Sequence, residues 1–242
     1  MRTNPVVMAL LIVCASATAQ DAGDAPPVRY PTLQDRATPE QGFVPKGWRL
    51  EYAKRGDLDA DGRDDLLMVL RMQDPKNVLR NEGLGQDPFD TNPRILAAAF
   101  AADGGYRLAF QNHTLIPRPD SSVMDDYLGG ADALKIARGA FQVTLHAFAS
   151  AGSWGMGSTT FTFRYQAGCF RLIGYDDDNI QRNTGETTDT SVNFITGKAI
   201  VRTGNIEHDK TKAKTHALGK RPLLCIDEVG DGFGFDPNVP DG

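Results

Sequence analysis

The sequence predicts an all-β fold: one domain of short antiparallel strands, arranged as a propeller-like, barrel or sandwich structure. Three observations carry that expectation. Apolar and polar residues alternate over short stretches, as at Trp48, Leu50 and Tyr52, at Phe141, Val143, Leu145 and Ala147, and at Phe161, Phe163 and Tyr165. Alternation with a period of two turns one face of a strand to a core and the other to water. Glycine-bearing turns at Asp103-Gly104-Gly105, Arg138-Gly139, Ala167-Gly168 and Thr196-Gly197 divide those stretches into strand-length pieces. Lastly, residues 57–65 place acids at alternate positions around a glycine and run straight into the apolar segment 66–70, a loop followed by a strand. No equal-period repeat accompanies these features, so a symmetric propeller is not demanded.

Taken in order, residues 20–47 are rich in Pro, Ala and Asp without sustained periodicity and read as a flexible Pro-rich linker. The all-β domain spans 48–229, opening with a half-buried strand at Trp48. Segment 66–70 is apolar on both parities and reads as a central strand. Segment 73–93 is polar and turn-rich. Ala97-Ala98-Ala99 favours helix by propensity, yet the following turn and the alternating Tyr106, Leu108 and Phe110 make 95–110 a β-hairpin. Residues 112–132 form a long loop. Strands at 134–136, 141–147, 161–165 and 169–175 follow, then a polar loop at 176–188 and a hairpin around Thr196-Gly197. Segment 206–221 is an exposed ribbon, 223–226 a last short strand, and 230–242 a loose tail.

Asp57, Asp59 and Asp61 alternate, Gly62 follows, and Asp65 closes the spacing. These are the first, third, fifth, sixth and ninth positions of a calcium loop, and the Arg63 carbonyl falls at the seventh, which supplies a backbone oxygen. Ca²⁺ takes six to eight hard oxygen ligands, and the glycine permits the sharp turn. Met68 stands where an EF-hand has its bidentate Glu, so Asp65 is expected to be the closing carboxylate. An ordinary exposed turn is the competing reading, since Asp and Gly also favour turns. Alternating carboxylates so close together repel unless a cation lies between them.

The first residues read as an export signal: Arg2, an apolar run from Val6 to Val13, and Ala17-Thr18-Ala19 as a cleavage site, giving a signal peptide over 1–19. Lipid attachment at Cys14 is the rival, against which Val13 is a poor residue for that position. The expected location is periplasmic or secreted, and the run is too short to be transmembrane. Loss of residues 1–19 removes Arg2 and no acid, leaving 25 basic against 31 acidic side chains, a net charge of −6. That balance excludes nucleic acid as a partner and suits a basic protein. An even pair of cysteines then remains. In an exported chain Cys169 and Cys225 suggest a disulfide worth about 4 kcal/mol by loop-closure entropy; two buried free thiols are the alternative.

Motifs for catalysis are few. No G-x-S-x-G occurs. Gly197-Lys198 lacks the P-loop hydroxyl, which Ala199 replaces. His113, His146, His208 and His216 are scattered without zinc-ligand spacing. Asp176, Asp177 and Asp178 with Glu186 read as a solvated acidic face or a weaker second cation site. The chain is therefore expected not to be an enzyme. The stretch Ser150-Ala151-Gly152-Ser153-Trp154-Gly155-Met156 stands out as a partner-binding loop, because glycines let backbone approach another surface and an exposed Trp anchors partners. A Trp154 folded back over the end of the domain is the other outcome.

Residues 56–67 resemble the D-x-D/N-x-D-G-x-x-D-L loop of FG-GAP/VCBS calcium repeats. Together with Asn92-Pro93-Arg94-Ile95-Leu96, Gly152-Ser153-Trp154, Phe163-Arg164-Tyr165-Gln166, Leu172-Ile173-Gly174 and Ser191-Val192-Asn193-Phe194-Ile195-Thr196-Gly197-Lys198, this is similar to periplasmic proteins of Gram-negative bacteria that resemble I-type lysozyme inhibitors, some acting as immunity proteins. The resemblance implies a calcium-bearing, propeller-like fold and a protruding loop that plugs the cleft of a lysozyme-like muramidase. Such inhibitors use a Ser-Gly-x-x-Tyr loop; here 150–154 keeps small residues and an aromatic, Trp154, but neither the spacing nor the Tyr, and Tyr127, in Asp125-Asp126-Tyr127-Leu128-Gly129, is an alternative plug. A calcium-stabilised envelope scaffold or adhesion module is the alternative function.

Overall fold

A computed structural model describes residues 25–240. The expected signal peptide and the Cys14 lipid site lie outside the described residues. The strands are β1 (Arg36–Ala37), β2 (Trp48–Gly56), β3 (Asp65–Met72), β4 (Val78–Leu79), β5 (Phe89–Asp90), β6 (Arg94–Ala102), β7 (Gly105–Asn112), β8 (Leu134–Ala137), β9 (Ala140–Phe148), β10 (Gly155–Gln166), β11 (Cys169–Gln181), β12 (Glu186–Asn193), β13 (Lys198–Asn205) and β14 (His208–Ala217). A single helical turn, α1 (Ile226–Val229), follows. They form a five-stranded sheet in the order β1-β7-β6-β3-β2, a seven-stranded meander running from β14 to β8, and the small β4-β5 pair. Every pairing is antiparallel. The sheets do not close, so the sandwich is the member of the expected set that is found.

Two cores flank the five-stranded sheet. Leu67, Val69, Leu96, Ala98 and Phe100 face the large sheet and meet Phe141, Val143, Phe161, Phe163 and Phe170. Leu66, Met68, Leu70, Ile95, Ala97 and Ala99 face the other way, under Tyr30, Leu33, Phe43, Val44 and Trp48. This explains why 66–70 is apolar on both parities: β3 has a packed layer on each face. Each large side chain buried there contributes roughly 1.5–3 kcal/mol. The alanines of β6 lie opposite Leu66, Leu67 and Met68, where strand pairing and burial override helix propensity.

Several expectations need correction. The linker is not free from Tyr30 onward. Leu33 and Phe43 are almost completely buried, and β1 pairs with β7, because the outer face of β3 and β6 is apolar and needs a cover. The polar stretch 176–188 is mostly strand. Consecutive acids are tolerated there because Ser191, Thr159 and Ser158 donate their hydroxyls to Asp176, Asp177 and Asp178 from neighbouring strands. The tail is anchored through Phe235, which packs against Phe161, Tyr175 and Phe194, and through the Gly232 N–H to the Leu115 carbonyl. The last expected strand is a single bridge at Cys225 followed by α1. The Cys169–Cys225 disulfide is formed across a separation of 56 residues and ties the start of β11 to α1. Such bonds persist in oxidising compartments. Among the described residues no helix is long and apolar enough to cross a membrane.

Candidate functional site: an acidic loop and a tryptophan loop

The acidic loop joins β2 to β3. Leu58 is buried in the core between the sheets and pins the loop from within. Around it the carboxylates fold onto the backbone. Asp57 accepts the N–H groups of Ala60 at 2.7 Å and Gly62 at 3.0 Å. Asp59 accepts from Asp61 N–H at 3.1 Å, and Asp61 from Arg63 N–H at 2.9 Å. Gly62 has φ of 84°, the left-handed conformation that the turn requires. One carboxylate oxygen from each of Asp57, Asp59 and Asp61 lies within 4.8 Å of the others. Hard oxygen donors this close together match the chemistry of a calcium ion.

Asp65, one member of the expected ligand set, is engaged otherwise, and Asp61 already carries an ion pair. Asp65 is fully buried and accepts the N–H groups of Leu58 and Ala101, each at 2.8 Å. It clasps the loop to the end of β6 and is not part of the three-carboxylate group. Burial pushes its carboxyl up, the two backbone hydrogen bonds oppose that, and the charges of Asp59 and Asp61 add to the rise. Arg63 turns its guanidinium onto Asp61, at 2.6–2.7 Å through two nitrogens. That contact and the Arg63 backbone N–H hold the Asp61 carboxyl below its ordinary range. The chain thus supplies one internal cation to the cluster, a neutralising device not anticipated from the spacing.

The tryptophan loop joins β9 to β10 at the opposite end of the sandwich. Gly56, beside the acidic loop, packs on Ile136 near the β8–β9 turn, whereas residues 149–154 lie at the far end of β9. Trp154 is 62% exposed, so the folded-back alternative is not what is found. The loop is nonetheless fastened. Arg182, just past β11, donates to the Ala149 carbonyl at 2.8 Å and the Ser153 carbonyl at 2.7 Å, and its own backbone N–H reaches the Trp154 carbonyl at 2.8 Å. Its guanidinium also lies 4.5 Å from the Phe148 ring centre and 5.8 Å from that of Trp154. Ser150 donates through both backbone and hydroxyl to the Val123 carbonyl. Gly152 supplies the turn with φ of 79°, and the Ser153 hydroxyl accepts from Gly155 N–H at 3.1 Å. Met156 is half-buried as the second residue of β10.

Tyr127 is not an exposed plug. Its ring is buried edge-on against Phe233 and its hydroxyl donates to Asp120 at 2.7 Å. Burial and the Asp120 carboxylate both push its phenol well above the ordinary range.

Sequence reading also missed an ionic cluster at the end of the five-stranded sheet away from the acidic loop. Arg94 is 1% exposed, binds both oxygens of Glu51 at 2.6 and 3.1 Å, and reaches Asp126 at 2.6 Å. Arg71 joins Glu51 to Asp90. Burial pushes the Glu51 carboxyl up, but Arg94 and Arg71 outweigh it and the net shift is downward; Asp126 behaves the same way, with Arg94 the main opposing partner. The only trace in the sequence was an arginine opening an otherwise apolar strand.

Comparison with protein-family models, with curated proteins and with solved structures yields no match.

Proposed function

We propose that this is an exported binding protein, without catalysis of its own, that presents Trp154 to a protein partner and fastens its β2–β3 loop with calcium. The observation that carries the reading is an exposed tryptophan on a loop held by Arg182 from three backbone carbonyls. An aromatic anchor that is already fixed loses little entropy on binding, the condition under which one residue dominates an interface. The acidic balance of the chain suits a basic partner. With the resemblance to I-type lysozyme inhibitors, a lysozyme-like muramidase in the periplasm fits both features.

Calcium would be held by Asp57, Asp59 and Asp61 with the Arg63 carbonyl. It would supply charge neutralisation and a rigid turn, a structural service. Asp61 has to release the Arg63 guanidinium for this to happen. Asp61→Ala is therefore expected to erase most of the rise in melting temperature that calcium gives the parent, because a ligand bound only to the folded state stabilises it. Thermal melts with calcium and with chelator check this, and equal melting of parent and variant under both conditions contradicts it.

The inhibitory role is tested by assaying purified protein against a panel of lysozyme-like muramidases. Stoichiometric loss of muramidase activity is expected for at least one. A panel left fully active and unbound favours the scaffold or adhesion alternative.

A further inference from the structure

The large sheet ends in an open edge. Among the described residues β14 pairs with β13 on one side and has no strand on the other, so alternate N–H and C=O groups face outward along its length. Lys210, Lys212 and Lys214 occupy alternate positions of this strand and therefore share one face. All three are exposed, and none has an ion-pair partner among the described residues. On the facing strand Lys212 lies opposite Thr203 and Lys214 opposite Val201, so neither of these two faces an acid across the pair. The other parity of β14 begins with Asp209 near the hairpin tip and continues with Thr211, Ala213, Thr215 and Ala217, all small. An open groove of about 1040 Å³ runs along this corner, with Thr188, Thr203, Lys210 and Lys212 in its wall and Glu186 and Glu207 confined to the hairpin tips.

We infer that the β14 edge is a docking site for an extended peptide segment with acidic side chains at every second position. Adding a strand to an open sheet edge satisfies the outward backbone groups, and alternate side chains then decide which segment fits. Successive lysines on one strand face lie ~6.8 Å apart, the same repeat as alternate residues of an added strand. Carboxylates at that repeat meet each ammonium group in turn, while the other face asks only for small residues. In a chain with a formal net charge of −5 this cationic row is a local reversal of sign. A second copy of the chain is not the occupant. Edge-to-edge pairing would set lysine rows against each other, which is how edge lysines discourage self-association.

The test uses the full chain and an acetylated, amidated, fluorescein-labelled octapeptide of alternating Glu and Thr. Anisotropy at low ionic strength should show saturable binding. The Lys210→Gln, Lys212→Gln, Lys214→Gln triple variant should bind about tenfold more weakly or worse, as the loss of three exposed ion pairs implies. Backbone N-methylation of every second residue of the peptide should abolish binding, and Trp154→Ala should leave it unchanged. Absence of binding, equal affinity of the triple variant with an unchanged circular dichroism spectrum, or equal affinity of the N-methylated peptide would each overturn the proposal, the last by showing attraction to any polyanion.

Discussion

The middle of the five-stranded sheet and the outer ribbon of the seven-stranded one are built to opposite rules. β3 and β6 are covered on both faces, and from Asp65 to Leu70 every residue is buried. In β12, β13 and β14 only Val192, Ala199 and His216 are buried among the described residues, and exposed residues occupy both parities. The first region holds the fold together through apolar contact. The second is held by backbone pairing and short polar side chains, so its surface can be altered with little cost to stability. The two surfaces proposed for recognition, the Trp154 loop and the β14 edge, both lie on the large sheet, where the fold depends least on the side chains, rather than in the shared core.

The largest expected effect that sharpens this contrast is at Arg94. Arg94→Ala leaves Glu51 and Asp126 without their main partner inside the small sheet's end, and should cost about 3–5 kcal/mol in urea unfolding. Thr203→Ala on the ribbon should stay within about 0.5 kcal/mol. Similar costs at the two sites would break the distinction.

A smaller effect concerns pH. Glu51 and Asp126 have folded-state pKa values below their unfolded ones, so the unfolded chain binds more protons on acidification. Their stabilisation is fully present above the ordinary carboxylate range, about pH 4, and is lost as pH falls through the lower folded values. Asp65 and Asp177 are shifted upward, chiefly by burial, and act in the opposite sense. Comparing parent with Glu51→Gln isolates the cluster. The variant should melt lower at neutral pH and lose less on acidification, and parallel melting curves would contradict the assignment.

How much of this could be read from the sequence follows the same division. The all-β class and the 95–110 hairpin were legible because burial of one strand face leaves an alternating apolar trace, the central strand at 66–70 because burial of both faces leaves an unbroken one, and the Cys169–Cys225 bond because an even pair of cysteines suggests a disulfide in a chain expected to be exported. The acidic loop was legible because its spacing is local. What escaped notice involved partners distant in sequence. Asp176, Asp177 and Asp178 read as a loop because their hydroxyl partners come from β10 and β12. Residues 30–44 read as a linker because the apolar face they cover belongs to β3 and β6. Asp65 read as a metal ligand because the spacing does not reveal that Ala101, 36 residues away, donates to it. Arg182 carried no signal at all, since its role depends on three carbonyls 28–33 residues earlier in the chain.

The sharpest test is calorimetric titration of a muramidase inhibited by the parent with parent and Trp154→Ala proteins, alongside their melting temperatures. The account predicts unchanged melting, because the ring is solvent-exposed, together with affinity reduced about 30-fold or more, the cost of losing a tryptophan hot spot of at least about 2 kcal/mol. Equal affinity of the two proteins would contradict it.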